Sequence, residues 1–134
     1  MLRTLALALL LAVAVTAPAS AATKNGITPL APKAGSSVPA GKSPVFRFRS
    51  SGSGSRWVHV CKSKKKNLDG VICFKASIGK AKKKNGVYEY KPKFFDFPAF
   101  WLNTPGTYYW QAHRIDCNGS DCRQEGPTVK FKVA

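Results

Sequence analysis

The chain has 134 residues, carrying 22 lysines and arginines against 6 acids for a formal net charge of +16. That length holds one domain. So one-sided a charge excludes a neutral or acidic surface and directs attention to anionic partners. Two histidines and six acids leave little material for acid–base catalysis.

The chain opens as a secretory leader. Arg3 supplies the positive start, Leu5 to Val15 the apolar core, and Ala17-Pro18-Ala19-Ser20-Ala21-Ala22 a small-residue cleavage region. Cleavage after Ala21 or Ala22 fits the pattern. The apolar run is shorter than the ~20 residues a membrane span needs, and no later segment is long enough to span. Residues 1–22 are therefore expected to be a signal peptide, and the mature chain to be secreted, with cell-surface association open to it. Removing them takes away Arg3 alone among the charged residues and leaves a net charge of +15 on 112 residues.

Residues 23–44 are rich in Pro, Gly, Ala, Ser and Lys and read as an extended entry segment. It has a first edge strand near Ile27–Leu30, where Pro29 and Pro32 restrict the chain to an edge or a loop. Residues 45–134 form the remainder of the same domain. Val45–Arg49 alternates, placing Phe46 and Phe48 inward and Arg47 and Arg49 outward. Ser50 to Ser55, all Ser and Gly, read as a flexible turn. Arg56–Lys62 is the next strand; either Val58 and Val60 or Trp57, His59 and Cys61 face the core. Gly70–Ser77 and Val87–Lys93 follow as strands, preceded and separated by lysine-rich loops. Phe94–Leu102 is broken by Asp96 and Pro98 and reads as a bent crossing between sheets. Thr107–Ile115 puts Tyr108, Trp110 and Ala112 on one face. Thr128–Val133 closes the sheet with Val129, Phe131 and Val133 inward. Many short strands at even spacing, with no long amphipathic helix, predict an all-β fold.

Pro105-Gly106-Thr107-Tyr108-Tyr109-Trp110 is the most specific stretch. Pro-Gly is turn chemistry. A glycine two residues before a tyrosine, with a large core residue two beyond it, is similar to the tyrosine corner of immunoglobulin-like sandwiches. The run resembles that of fibronectin type III-like domains of secreted bacterial proteins. The resemblance is specific over 105–112 and extends in pattern over 27–133. It implies an immunoglobulin-like β-sandwich of about seven strands.

Export implies an oxidising compartment, so Cys61, Cys73, Cys117 and Cys122 are read as two disulfides. Cys61–Cys73 brackets a loop ending in Asp69-Gly70, and Cys117–Cys122 brackets Asn118-Gly119-Ser120-Asp121, a hairpin tip. In the sandwich order assumed, Cys61 and Cys117 lie at opposite poles, too far apart for cross-pairing. The spacings match no zinc finger, and neither a metal site nor a cofactor is expected. Asn118-Gly119-Ser120 also matches a glycosylation acceptor.

The lysines fall in two clusters, Lys62, Lys64, Lys65 and Lys66, and Lys80, Lys82, Lys83 and Lys84. With one strand between them they should sit about 25 Å apart at opposite poles. Neither contains arginine, so point-charge attraction is expected rather than bidentate recognition. The favoured reading is a non-catalytic module binding anionic cell-surface polymers, acidic glycans or nucleic acid without sequence specificity. A second is an accessory protein holding a protein partner through the aromatic run 94–102 or the 117–122 tip. A third is a small cationic toxin or antimicrobial. No nucleophile elbow, phosphate loop or zinc-helix motif is present, so no catalytic residue is assigned.

Overall fold

A computed structural model describes residues 21–61, 76–92, 104–117 and 122–134 of the chain. Among them are nine strands and no helix. They are β1 (Ile27–Ala31), β2 (Ser37–Val38), β3 (Phe46–Ser50), β4 (Ser55–Cys61), β5 (Ala76–Lys80), β6 (Lys82–Lys84), β7 (Val87–Tyr90), β8 (Gly106–Ile115) and β9 (Arg123–Val133). Two sheets result, one in the order β1-β3-β7-β6 and the other in the order β2-β9-β8-β4-β5. All pairings are antiparallel except β2 with β9.

Alternating side chains build the core. Phe46 and Phe48 of β3 are fully buried, as are Tyr108 and Trp110 of β8 and Phe131 of β9; Ala112, Val129 and Val133 are nearly so. The rings of Phe46 and Trp110 meet edge-on at 5.4 Å, and those of Phe46 and Phe131 at 5.9 Å. Such edge-to-face pairs add to the stabilisation from burial. Trp110 Nε1 donates to the Pro32 carbonyl at 3.0 Å, so the indole is buried without losing its hydrogen bond. The Tyr108 hydroxyl donates back to the Thr104 carbonyl at 2.7 Å.

On β4, Val58 and Val60 join the core. They pair with Ala112 and Trp110, while Trp57 and His59 pair with His113 and Gln111 on the other face. Parity is undecided by the sequence because His59 and Cys61 are buried as well.

The structure departs from expectation at several strands. β9 begins at Arg123 rather than 128. Its register shifts where Gly126 and Pro127 lie opposite Ala112 alone. This bulge accommodates Pro127, which a regular ladder position would not, and Gln111 Nε2 holds it by donating to the Gly126 carbonyl at 2.9 Å. β2, a two-residue edge, is too short to carry a periodicity. The Ser-Gly turn is held, not free. Arg56, only 6% exposed, donates to the carbonyls of Ser51, Gly52 and Gly54 and to Ser50 Oγ.

The largest departure concerns Lys80–Lys84, expected in a loop. Lys80 ends β5 in one sheet and Lys82 begins β6 in the other. The chain crosses between sheets at Ala81, which is buried and donates its N–H to the Arg56 carbonyl at 2.8 Å. Asn85 and Gly86, with φ of 50° and 77°, then close a two-residue hairpin with β7. Two successive positive φ values define the turn whose twist matches paired strands, and Asn-Gly is its preferred sequence. The turn brings Lys82–Lys84 into register with Val87, Tyr88 and Glu89, and ladder hydrogen bonds override the weak strand preference of lysine.

Cys117 and Cys122 form a disulfide with Cα atoms 4.4 Å apart, closing the β8–β9 connection. Cys61 is also disulfide-bonded. Its expected partner, Cys73, lies outside the described residues.

Candidate functional site: a lysine-rimmed sheet edge

The β6–β7 hairpin and the end of β5 enclose a depression of about 630 Å³. Among the described residues its lining comprises Val45, Gly79, Lys80, Lys82, Lys83, Lys84, Glu89, Tyr90 and Lys91. All five lysines are exposed. Among the described residues none of them has an ion pair; the salt bridges there are Arg47–Glu89 and Arg123–Glu125.

Strand geometry sets the arrangement. Lys82 and Lys84 project from one face of β6, about 7 Å apart as alternate strand residues are. Lys83 projects from the other face, its Nζ 6.0 Å from the Tyr88 ring centroid. Across the sheet, Arg47, Glu89 and Lys82 form one row. Glu89, the sole acid in the lining, accepts from Arg47 Nε and Nη2 at 3.0 and 2.7 Å. It is therefore engaged from the β3 side, and the lysines around it outnumber it five to one.

The floor is different in kind. Tyr90 is 5% exposed and packs against Gly79 of the opposite sheet. Val45, 37% exposed, is the one large hydrophobic side chain open to solvent among the described residues.

Of the lysines singled out in the sequence, the structure brings Lys80, Lys82, Lys83 and Lys84 together. Lys62, Lys64, Lys65 and Lys66 lie outside the described residues, as do the aromatic run 94–102 and residues 118–121 of the hairpin tip. Sequence reasoning missed Lys91 and Val45, which join the rim only through the pairing of β3 with β7. It also missed the hairpin itself, although Asn85-Gly86 is a strong short-range hairpin signal.

A second polar feature lies on the outer face of the larger sheet. His59 and His113 occupy neighbouring strands there and are 9% and 4% exposed. Neither ring nitrogen of His59, nor Nδ1 of His113, meets a hydrogen-bond partner among the described residues. Burial lowers the pKa of both, and the Arg123 charge lowers it further. His113, also facing His59, is brought down to about 4. Both are therefore neutral at physiological pH. Among the described residues no group of three His, Cys, Asp or Glu side chains is placed to hold a metal ion, and no helix is long and apolar enough to cross a membrane.

No protein-family model matches the chain, and no curated protein matches it. Among solved structures, the crystal structure of an engineered protein is similar over 81% of this chain, at 15% sequence identity and a TM-score of 0.47. This chain spans 20% of that protein's length.

Proposed function

We propose that this protein is a secreted, non-catalytic binding module that holds anionic polymers against one edge of an immunoglobulin-like sandwich. The observation that carries the reading is the convergence of Lys80, Lys82, Lys83, Lys84 and Lys91 on one depression whose one acid among the described residues, Glu89, is already ion-paired with Arg47. Like charges held together cost stability through mutual repulsion. Their clustering is accounted for when a ligand supplies the opposite charge.

Two features support the immunoglobulin-like, fibronectin type III-like assignment. The order β1-β3-β7-β6 opposite β9-β8-β4-β5 corresponds to the A-B-E-D and G-F-C-C′ order of that architecture. The Tyr108 hydroxyl bonded to the Thr104 carbonyl corresponds to its tyrosine corner. The Cys117–Cys122 disulfide is compatible with an extracellular setting.

The test is retention of the oxidised protein on immobilised polyanions across a salt gradient, compared with the Lys82→Glu/Lys84→Glu variant. Retention that falls steeply with salt and is lost in the variant is expected. Retention unchanged by the double reversal would remove this reading.

A second reading, a protein partner at the Ser-Gly turn and the disulfide-closed connection, draws on one observation. Arg114 donates to the Ser53 carbonyl at 3.2 Å and also to Gln124 Oε1, and Ser53 Oγ donates to Asp116. These bonds tie the Ser-Gly turn to the disulfide-closed connection. A prestiffened pole loses less entropy on binding, and its contacts would survive high salt.

A further inference from the structure

We infer that the lysine-rimmed depression takes an acidic glycan, a sugar chain bearing carboxylate or sulfate groups. This rests on the reading of the cationic edge as an anion-binding surface and narrows it to one ligand chemistry.

Five observations lead there. Among the described residues the cations of the rim are all lysines, and Arg47, the neighbouring arginine, is engaged with Glu89. Lysine attracts anions as a mobile point charge, whereas a single phosphate or carboxylate is gripped best by an arginine fork. Several lysines therefore suit a ligand with several separate anionic groups.

Nucleic acid fits poorly. Single strands are bound by stacking bases on open aromatic faces. Among the described residues the one aromatic in the lining, Tyr90, is buried, and the neighbouring Tyr88 ring is stacked on Phe48 at 5.6 Å with the Arg56 guanidinium 4.8 Å from its centroid. A bilayer surface fits poorly as well. The site is concave, and among the described residues Val45 is its one exposed large hydrophobic side chain, too little apolar surface to enter a membrane.

An acidic peptide added as a further strand would need a longer edge. In a two-residue hairpin the pair flanking the turn, here Lys84 and Val87, is hydrogen-bonded inward, as is the pair Lys82 and Glu89 two residues on. That leaves Lys83 alone in β6 to offer its N–H and C=O outward. A sugar chain asks for none of this. Its anionic substituents meet the lysines while a C–H face of one ring covers Val45. The volume of about 630 Å³ lies within the range of ligand-sized sites.

The experiment titrates the oxidised protein at one fixed salt concentration with four probes of matched charge. These are a heparin octasaccharide, polyglutamate, a single-stranded DNA oligonucleotide and vesicles of anionic phospholipid. The octasaccharide is expected to bind at least about tenfold more tightly than the other three. Val45→Ser, at an exposed position, should weaken octasaccharide binding by roughly three- to tenfold and leave polyglutamate within about twofold, because it removes apolar contact and no charge. Affinities for all four probes within about twofold of one another, or an equal effect of Val45→Ser on all of them, would overturn the glycan assignment while leaving the anion-binding surface standing. Salt-sensitive binding of none of them would overturn both.

Discussion

The ring of Tyr90 packs against the backbone of Gly79, a contact between strands of opposite sheets. A methyl group at Gly79 would overlap Cε2, Cζ and Oη of that ring. The glycine is required by this approach, and the approach sets the spacing of the two sheets beneath the lysine rim. Gly79→Ala must displace a buried aromatic ring or part the sheets. A loss of about 1–3 kcal/mol in unfolding free energy is expected, read from a urea titration; a variant as stable as the parent would show that Tyr90 can move aside freely.

The buried histidines make stability depend on pH in a defined direction. In the unfolded chain both titrate near the ordinary value of 6.5, whereas in the folded protein burial and Arg123 lower them, His113 to about 4. The unfolded chain therefore binds protons first as pH falls. Stability is complete above pH 6.5 and declines as pH drops towards 4. His113 alone accounts for roughly 3 kcal/mol across that window. Thermal unfolding between pH 7 and 5, where carboxylates contribute little, should show the decline, and His113→Gln should flatten it.

Among the described residues Glu89 is the one acid beside the five lysines. Glu89→Gln removes a repulsive charge from the depression, so polyanion retention should strengthen by about two- to threefold at low salt. The lost ion pair is largely solvent-exposed on the Arg47 side, 52% exposed, and should cost about 1 kcal/mol or less. Weaker retention in the variant would show that Glu89 orders the site rather than opposing the ligand.

Arg56 holds the Ser-Gly turn through bonds to three carbonyls. Arg56→Met keeps much of the apolar stem but leaves those carbonyls without their donor, and a loss of about 2–4 kcal/mol is expected from a buried charged hydrogen-bonding group. Backbone amide exchange at 50–54 should accelerate selectively. Unchanged exchange would mean the turn is ordered by its neighbours instead.

The legible parts of the fold are those where one face of a strand differs chemically from the other. Phe46 and Phe48 alternate with arginines, and Val129, Phe131 and Val133 with polar residues, so a period of two reads directly as inside and outside. β4 is illegible for the converse reason: both its faces are buried. β6 carries three identical lysines and has no period at all; its place follows from the Asn85-Gly86 turn and from pairing with β7. The candidate site shares this difficulty. The lysine run is plain in the sequence, but Val45 and Lys91 join it only through cross-strand register, which composition does not encode. Arg56 was equally hidden, because a charged residue in a strand next to a Ser-Gly run gives no sign that it folds back upon that run.

The crossing at Ala81 places Lys80 on one sheet and Lys82 on the other, two residues apart across the seam of the sandwich. A polymer bridging these ammonium groups would act as a suture between the layers. Occupancy would then oppose their separation under tension, so that a pull on an anchored chain would be resisted more strongly when the ligand is in place than when the edge is bare.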